Sequence, residues 1–150
     1  MTRRIVFLIA LGAALALQGA LPPTLVRTTE ALSPAQEAKS FTLPPSFRIQ
    51  LFASEPQINK PMNMSFDTRG RLWVTSTLEY PFPAKLGQRG RDSIKILEDT
   101  TGDGRADKVT TFVDGLNIPT GLYPYKDGVI AWSIPNIWFF RDTTGDGKAD

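Results

Sequence analysis

From Phe47 onward the chain alternates, with Phe47, Ile49 and Leu51 apolar and Arg48 and Gln50 polar between them. A period of two belongs to a strand with one face on a core, and it predicts a half-buried strand over 47–51. Two further strands are predicted at Met62–Phe66 and Arg71–Ser76. They are joined by Asp67-Thr68-Arg69-Gly70, a tight turn in which Gly70 supplies a positive φ. Ser93–Leu97, Lys108–Phe112, Gly128–Trp132 and Ile137–Arg141 follow with the same character. No long helical pattern appears after residue 45. Before it, Ser33-Pro34-Ala35-Gln36 predicts a helix start, with Ser33 as cap, Pro34 at the first helical position and Gln36 closing a capping box. Pro44-Pro45 stops that helix. The predicted class is all-β, with strands alternating in and out and Leu72, Val74, Ile94, Ile96, Ile130 and Ile137 inside. Trp73, Trp132 and Trp138 fall at strand positions and read as core residues.

An internal repeat organises these strands. Ile94 to Asp107 recurs as Ile137 to Asp150, 43 residues later, and Pro61 to Val74 is echoed by Pro119 to Trp132, 58 residues later. The difference of 15 is an insertion in the first unit, within about Thr77 to Asp92. A period near 40–45 residues built of short antiparallel strands predicts β-propeller blades. The chain holds about two four-stranded blades, and propellers close with about 4–8. The second copy reaches Asp150, where the first runs straight on into Lys108–Phe112. The expectation is an N-terminal piece of a longer propeller, whose remaining blades are this piece's partners.

The first residues have another character. Arg3 and Arg4 precede an apolar run, Ile5 to Leu17, ending in Gln18-Gly19-Ala20. The run is short for a membrane span of about 20 residues and reads as an export signal over 1–20, with an uncleaved membrane anchor as the alternative. The expected location is the periplasm or cell surface. Residues 21–45 read as a linker carrying the short helix, and 46–150 as the propeller part. The leader also carries the charge excess. The chain has 17 Lys and Arg against 15 Asp and Glu, and two of the basic residues lie in the leader. The remainder is balanced and has no basic stripe, so no nucleic-acid partner is expected.

There is no Cys and no His among the 150 residues. That excludes disulfides, thiolate or imidazole zinc sites, a Cys-x-x-Cys-His haem attachment and catalysis by His or Cys within this chain. Carboxylates, hydroxyls and backbone oxygens remain, which suit calcium. Asp99, Thr101 and Asp103 take positions 1, 3 and 5 of a calcium loop, Gly104 the turn, Arg105 the carbonyl position and Asp107 position 9. The second copy offers Asp142, Thr144, Asp146 and Asp150, with Lys148 at the carbonyl position. Thr at position 3 and Thr110 at position 12 depart from the full pattern. The alternative is a hairpin connection in which Asp and Gly supply only turn geometry.

Other candidates lie on loops. Glu79-Tyr80-Pro81, with Arg89 and Arg91, falls in the insertion, where a repeat scaffold commonly places a ligand, although a solvent-facing loop has the same composition. Asn63 and Thr120 open the strands after Pro61 and Pro119, at equivalent points of the two units, and would face a channel mouth or simply cap turns.

Phe41 to Pro56, Pro61, Phe66-Asp67, Gly70 to Val74 and Glu79-Tyr80-Pro81, with the Asp-Gly loops, resemble the N-terminal propeller of the planctomycete-type membrane-bound dehydrogenases. These are also described as PVC-type haem-binding Cys-x-x-Cys-His proteins, and they resemble more distantly the glucose/sorbosone dehydrogenases that use pyrroloquinoline quinone. The resemblance runs from about Ser33 to the end. It implies six or seven blades, and pyrroloquinoline quinone or haem held in parts not present in this sequence. It carries no catalytic residue onto this chain. The function it implies is that of an exported dehydrogenase-like protein acting on small polar substrates of sugar or polyol type. The alternative is a non-catalytic propeller that binds carbohydrate or protein.

Overall fold

The computed structural model describes residues 30–150; the export signal, its cleavage or anchoring, and the linker up to residue 29 lie outside the described residues. Among the described residues no helix is long and apolar enough to cross a membrane.

Helix α1 spans Pro34–Ser40. Its start is the predicted one. Ser33 Oγ accepts the Gln36 N–H at 3.4 Å, and Gln36 Oε1 accepts the Ser33 N–H at 3.0 Å, so two orphan donors of the first turn are served. The helix ends at Phe41, which is extended, before the two prolines are reached.

Seven strands follow: β1 Pro61–Phe66, β2 Leu72–Ser76, β3 Asp92–Glu98, β4 Lys108–Leu116, β5 Pro119–Tyr125, β6 Gly128–Ser133 and β7 Asn136–Arg141. They form two antiparallel sheets, β1-β2-β3-β4 and β5-β6-β7. Residues 33–150 form one compact unit. The second sheet therefore has three strands where four were expected. β5 was visible only through its echo of β1, because Pro119, Gly121 and Pro124 blur its strand signal. The β1–β2 turn is as predicted, with Gly70 at φ 76°.

One core lies between the sheets. Trp73, Ile94, Ile96, Phe112 and Leu116 meet Val129 and Ala131, and the Trp73 and Phe112 rings pack edge to face at 4.7 Å. A second cluster covers the other face of the first sheet, where Leu72, Val74, Leu97 and Ala106 pack beneath Phe52, Ala53 and Ile58. β2 is thus buried along its whole length and does not alternate, because it is covered on both faces.

Three further expectations fail. Residues 47–51 form no strand, and Phe47 is 70% exposed. The alternation is present, but no neighbouring strand among the described residues completes a ladder. Ile130 and Ile137 are exposed, because Val129 and Ala131 take the inner face of β6 and the far face of the second sheet is uncovered. Trp132 is half exposed for the same reason, whereas Trp138, paired with Ala131, shares the inner face but is half exposed on the outer strand β7; of the three tryptophans only Trp73 is a core residue.

The register sorts the loops to two ends. Phe66 pairs with Leu72, and Leu72 with Leu97, so the β1–β2 turn and the first Asp-Gly loop share one end. Pro61 pairs with Ser76, and Ser76 with Ser93, so the insertion 77–91 lies at the other end.

Candidate functional site

The loop end is closed by its own backbone. Asp99 Oδ1 accepts the N–H groups of Gly102 at 2.7 Å and Asp103 at 3.2 Å, and Oδ2 accepts that of Gly104 at 2.7 Å. Asp107 accepts from the Thr100 N–H and hydroxyl and from the Thr101 N–H. Asp103 accepts the Arg105 N–H. The second copy repeats this set. Asp142 accepts from Gly145, Asp146 and Gly147, Asp146 from Lys148, and Asp150 from Thr143 and Thr144. Gly102, Gly104, Gly145 and Gly147 all take a positive φ, which such a tight wrap requires.

These bonds favour the charged carboxylates. The Gly104 N–H is the chief cause holding Asp99 below the ordinary carboxylate value, with Gly102 and Asp103 adding to it against a smaller effect of burial. The Thr100 hydroxyl lowers Asp107, and the Thr143 hydroxyl lowers Asp150. At Asp67, burial pushes upward, and hydrogen bonds from the Trp73 indole and from Arg71 and Arg69 outweigh it.

For calcium the fit is incomplete. The loops bring together the predicted residues of each copy, the carboxylates accepting hydrogen bonds and Thr101, Arg105 and Thr144 donating them. Among the described residues no group of three or more His, Cys, Asp or Glu side chains is placed to hold a metal ion. Thr101 donates its hydroxyl to Asp99, and the Arg105 N–H is taken up by Asp103. A cation would have to draw Asp103 and Asp107 toward an Asp99 whose oxygens already serve three backbone donors.

The same end holds a cleft of about 370 Å³ between the sheets, lined by Phe66, Trp73, Tyr123, Tyr125 and the acids Asp67, Asp127 and Asp142. Its carboxylates are taken. Asp67 holds Arg71 and the Trp73 indole N–H, Asp127 holds Arg141, and Asp142 holds its own loop.

The insertion end begins with a duplicated link. The Asn59 N–H donates to Ser76 Oγ at 2.9 Å and its carbonyl accepts the Thr77 N–H. The Asn117 N–H donates to Ser133 Oγ at 3.0 Å and its carbonyl accepts the Ile134 N–H. Sequence reading passed over this pair; the recurrence of Asn59 as Asn117, 58 residues on, was the available signal.

On that base sits the insertion, present in the first unit alone. Asp92, fully buried, accepts three backbone N–H groups, from Leu78 at 2.6 Å, Glu79 at 3.1 Å and Ile118 at 2.9 Å. It therefore ties the start of the insertion to the link between the sheets, and it was absent from the sequence candidates. Ala84 donates to the Asn117 side chain at 3.1 Å, and Arg89 pairs with Asp114. Gly90 lies against β4; a Cβ there would stand 1.8 Å from the Leu116 carbonyl oxygen. The insertion is thus fastened at both ends and near its middle.

Of its predicted residues, Glu79 and Arg91 meet, Oε1 to Nε, at a long 3.5 Å. Arg89 goes to Asp114 instead, and Tyr80 is half exposed beside a cleft of about 520 Å³ that Glu79 and Arg91 also line. The Glu79 side chain is only 8% exposed, and its Oε2 has no hydrogen-bond partner. Asn63 and Thr120 are exposed on β1 and β5 at this end. They are not equivalent: counting from Pro61 and Pro119 puts Asn63 level with Gly121. The Asn63 N–H is held by Thr75 Oγ1 at an irregularity of β1.

The family described as a domain of unknown function, DUF7133, matches residues 33–150. The chain belongs to this family. No curated protein matches the chain, and no solved structure does. The match begins at Ser33, the cap of α1, so the DUF7133 domain takes in the helix, both sheets, both Asp-Gly loops and the insertion.

Proposed function

We propose that this DUF7133 domain is two adjacent blades in the propeller of an exported, dehydrogenase-like protein of the periplasm or cell surface, acting on small polar substrates of sugar or polyol type. One observation carries the propeller reading. Phe52 O accepts the Ala106 N–H of the first Asp-Gly loop at 2.9 Å, and Phe112 O accepts the Ala149 N–H of the second at 2.8 Å. The Gln50 side chain lies over Gly104, as Thr110 lies over Gly147. Residues 50–52 thus stand to the first loop as β4, the outer strand of the first sheet, stands to the second. A stretch holding the outer-strand place with no sheet of its own fits a ring in which it completes another blade. The alternation of Phe47, Ile49 and Leu51 is then that of a strand awaiting its neighbour.

In this reading the domain supplies scaffold and a loop-bearing end, and the redox group, pyrroloquinoline quinone or haem, belongs to other parts of the protein. The redox assignment and the substrate class rest on the family resemblance. Calcium in the Asp-Gly loops is part of this proposal, supported by odd-spaced carboxylates that occur twice. A non-catalytic propeller binding carbohydrate or protein is the second reading, favoured by the exposed Phe82 and Leu86 on the insertion. Assay of the full-length protein with an artificial electron acceptor and a panel of sugars and polyols separates the two. Turnover is expected; binding without turnover on any of them selects the second reading. Residues 33–150 alone should turn over nothing.

A further inference from the structure

Glu79, which lines the insertion cleft, carries the one buried side-chain polar atom without a hydrogen-bond partner among the described residues, Oε2, with essentially no exposed surface. A buried carboxylate oxygen with no donor is costly, and native proteins rarely keep one without a use. The backbone around it is not slack, since Asp92 fixes the Leu78 and Glu79 N–H groups. The carboxylate itself is loosely held. Among the described residues its only partner is Arg91, at 3.5 Å, which is at the limit of a hydrogen bond. Glu79 also lines the adjoining cleft. At about 520 Å³ that cleft is the size of a small-molecule site.

The other charged groups lining it are Lys60, Lys85 and Arg91. The Lys60 ammonium is taken by the carbonyls of Leu78 and Tyr80. Lys85 is exposed and has no side-chain partner among the described residues, and the Arg91 side chain is 69% exposed. The charge order is therefore negative inside and positive at the rim. A simple anion would meet Glu79, a simple cation would meet three cations, and a neutral polyol would leave the charges unserved. A ligand with its cationic donor inside and its anion outside satisfies both, and Tyr80 and Phe82 offer apolar surface to whatever it carries between.

We infer that this cleft binds a compact zwitterion of amino-acid type, its ammonium on Glu79 and its carboxylate at Lys85 and Arg91. The site stands beside the redox reading and does not depend on it.

The test is calorimetric titration of the full-length protein with L-leucine, alongside L-leucinamide, which lacks the carboxylate, and D-glucose, which lacks both charges. L-leucine should saturate the wild type, and Glu79→Gln should weaken it about tenfold or more. Lys85→Ala, on an exposed side chain, should weaken L-leucine and leave L-leucinamide unchanged, and circular dichroism confirms that each variant is folded. The inference is overturned if L-leucine does not bind, if Glu79→Gln binds it as well as wild type, or if D-glucose shows the same dependence on Glu79. Sugar turnover without L-leucine binding would overturn this site and leave the dehydrogenase reading standing; L-leucine binding without turnover would do the reverse.

Discussion

The two ends of the sheets treat their carboxylates differently. At the loop end, Asp99, Asp107, Asp142 and Asp150 each accept from backbone or hydroxyl groups of their own loop, and both copies do so in the same way. At the insertion end, Asp92 reaches across 26 residues to Ile118, and Glu79 keeps an oxygen with no partner. The duplicated end maintains the architecture, since the same bonds recur wherever the repeat recurs. The unique end carries what the repeat does not need, and unpaired chemistry there points to a ligand rather than to the fold.

The sharpest way to break this contrast is at Asp92. Asp92→Ala leaves three N–H donors unserved at a fully buried position, which should cost about 3–5 kcal/mol. Urea unfolding measures it, and proteolysis within 77–91 should speed up as the insertion comes loose. A loss below about 1 kcal/mol would mean that water serves those donors and that the insertion is not tied to the sheet link.

The loop end should respond more mildly and in matched fashion. Asp99→Ala and Asp142→Ala remove the same wrap, so their urea midpoints should fall by similar amounts, each less than for Asp92→Ala. Unequal losses would separate the copies. Acid sharpens the point. The folded-state values of Asp99, Asp107 and Asp150 lie below the ordinary 3.8, so their contribution is complete above about pH 4 and is lost as pH falls through the lowered values. The midpoint should therefore decline below about pH 4, and less steeply in Asp99→Ala than in wild type.

The smallest effect expected is that of calcium. A cation that joins Asp99, Asp103 and Asp107 binds the folded state alone and raises the melting temperature by a few degrees. Asp103→Ala should abolish that rise, with magnesium doing much less. Identical melts of wild type and Asp103→Ala, with and without calcium, would leave both ends free of metal and the loops as hydrogen-bonded turns.

Much of the fold was legible along the chain. The capping box of Ser33 and Gln36, the Gly70 turn and six of the seven strands follow from neighbours in sequence, because caps, turns and period-two runs are local devices. The Asp-Gly wraps are local too, closing within seven residues, so spacing located them. What spacing cannot say is which face of a strand finds a cover. Ile130 and Val129 look alike in sequence, and only the first sheet's position decides that Val129 is buried and Ile130 is not. The strand pattern of Phe47, Ile49 and Leu51 likewise required a neighbour that residues 30–150 do not provide. The insertion site is the clearest case. Glu79, Arg91 and the length of the loop were visible, but the buried Asp92 that organises them and the lack of a partner for Glu79 Oε2 depend on contacts between distant segments. A sequence by itself determines which groups could bond; whether a donor actually arrives is decided only when the chain has closed around it.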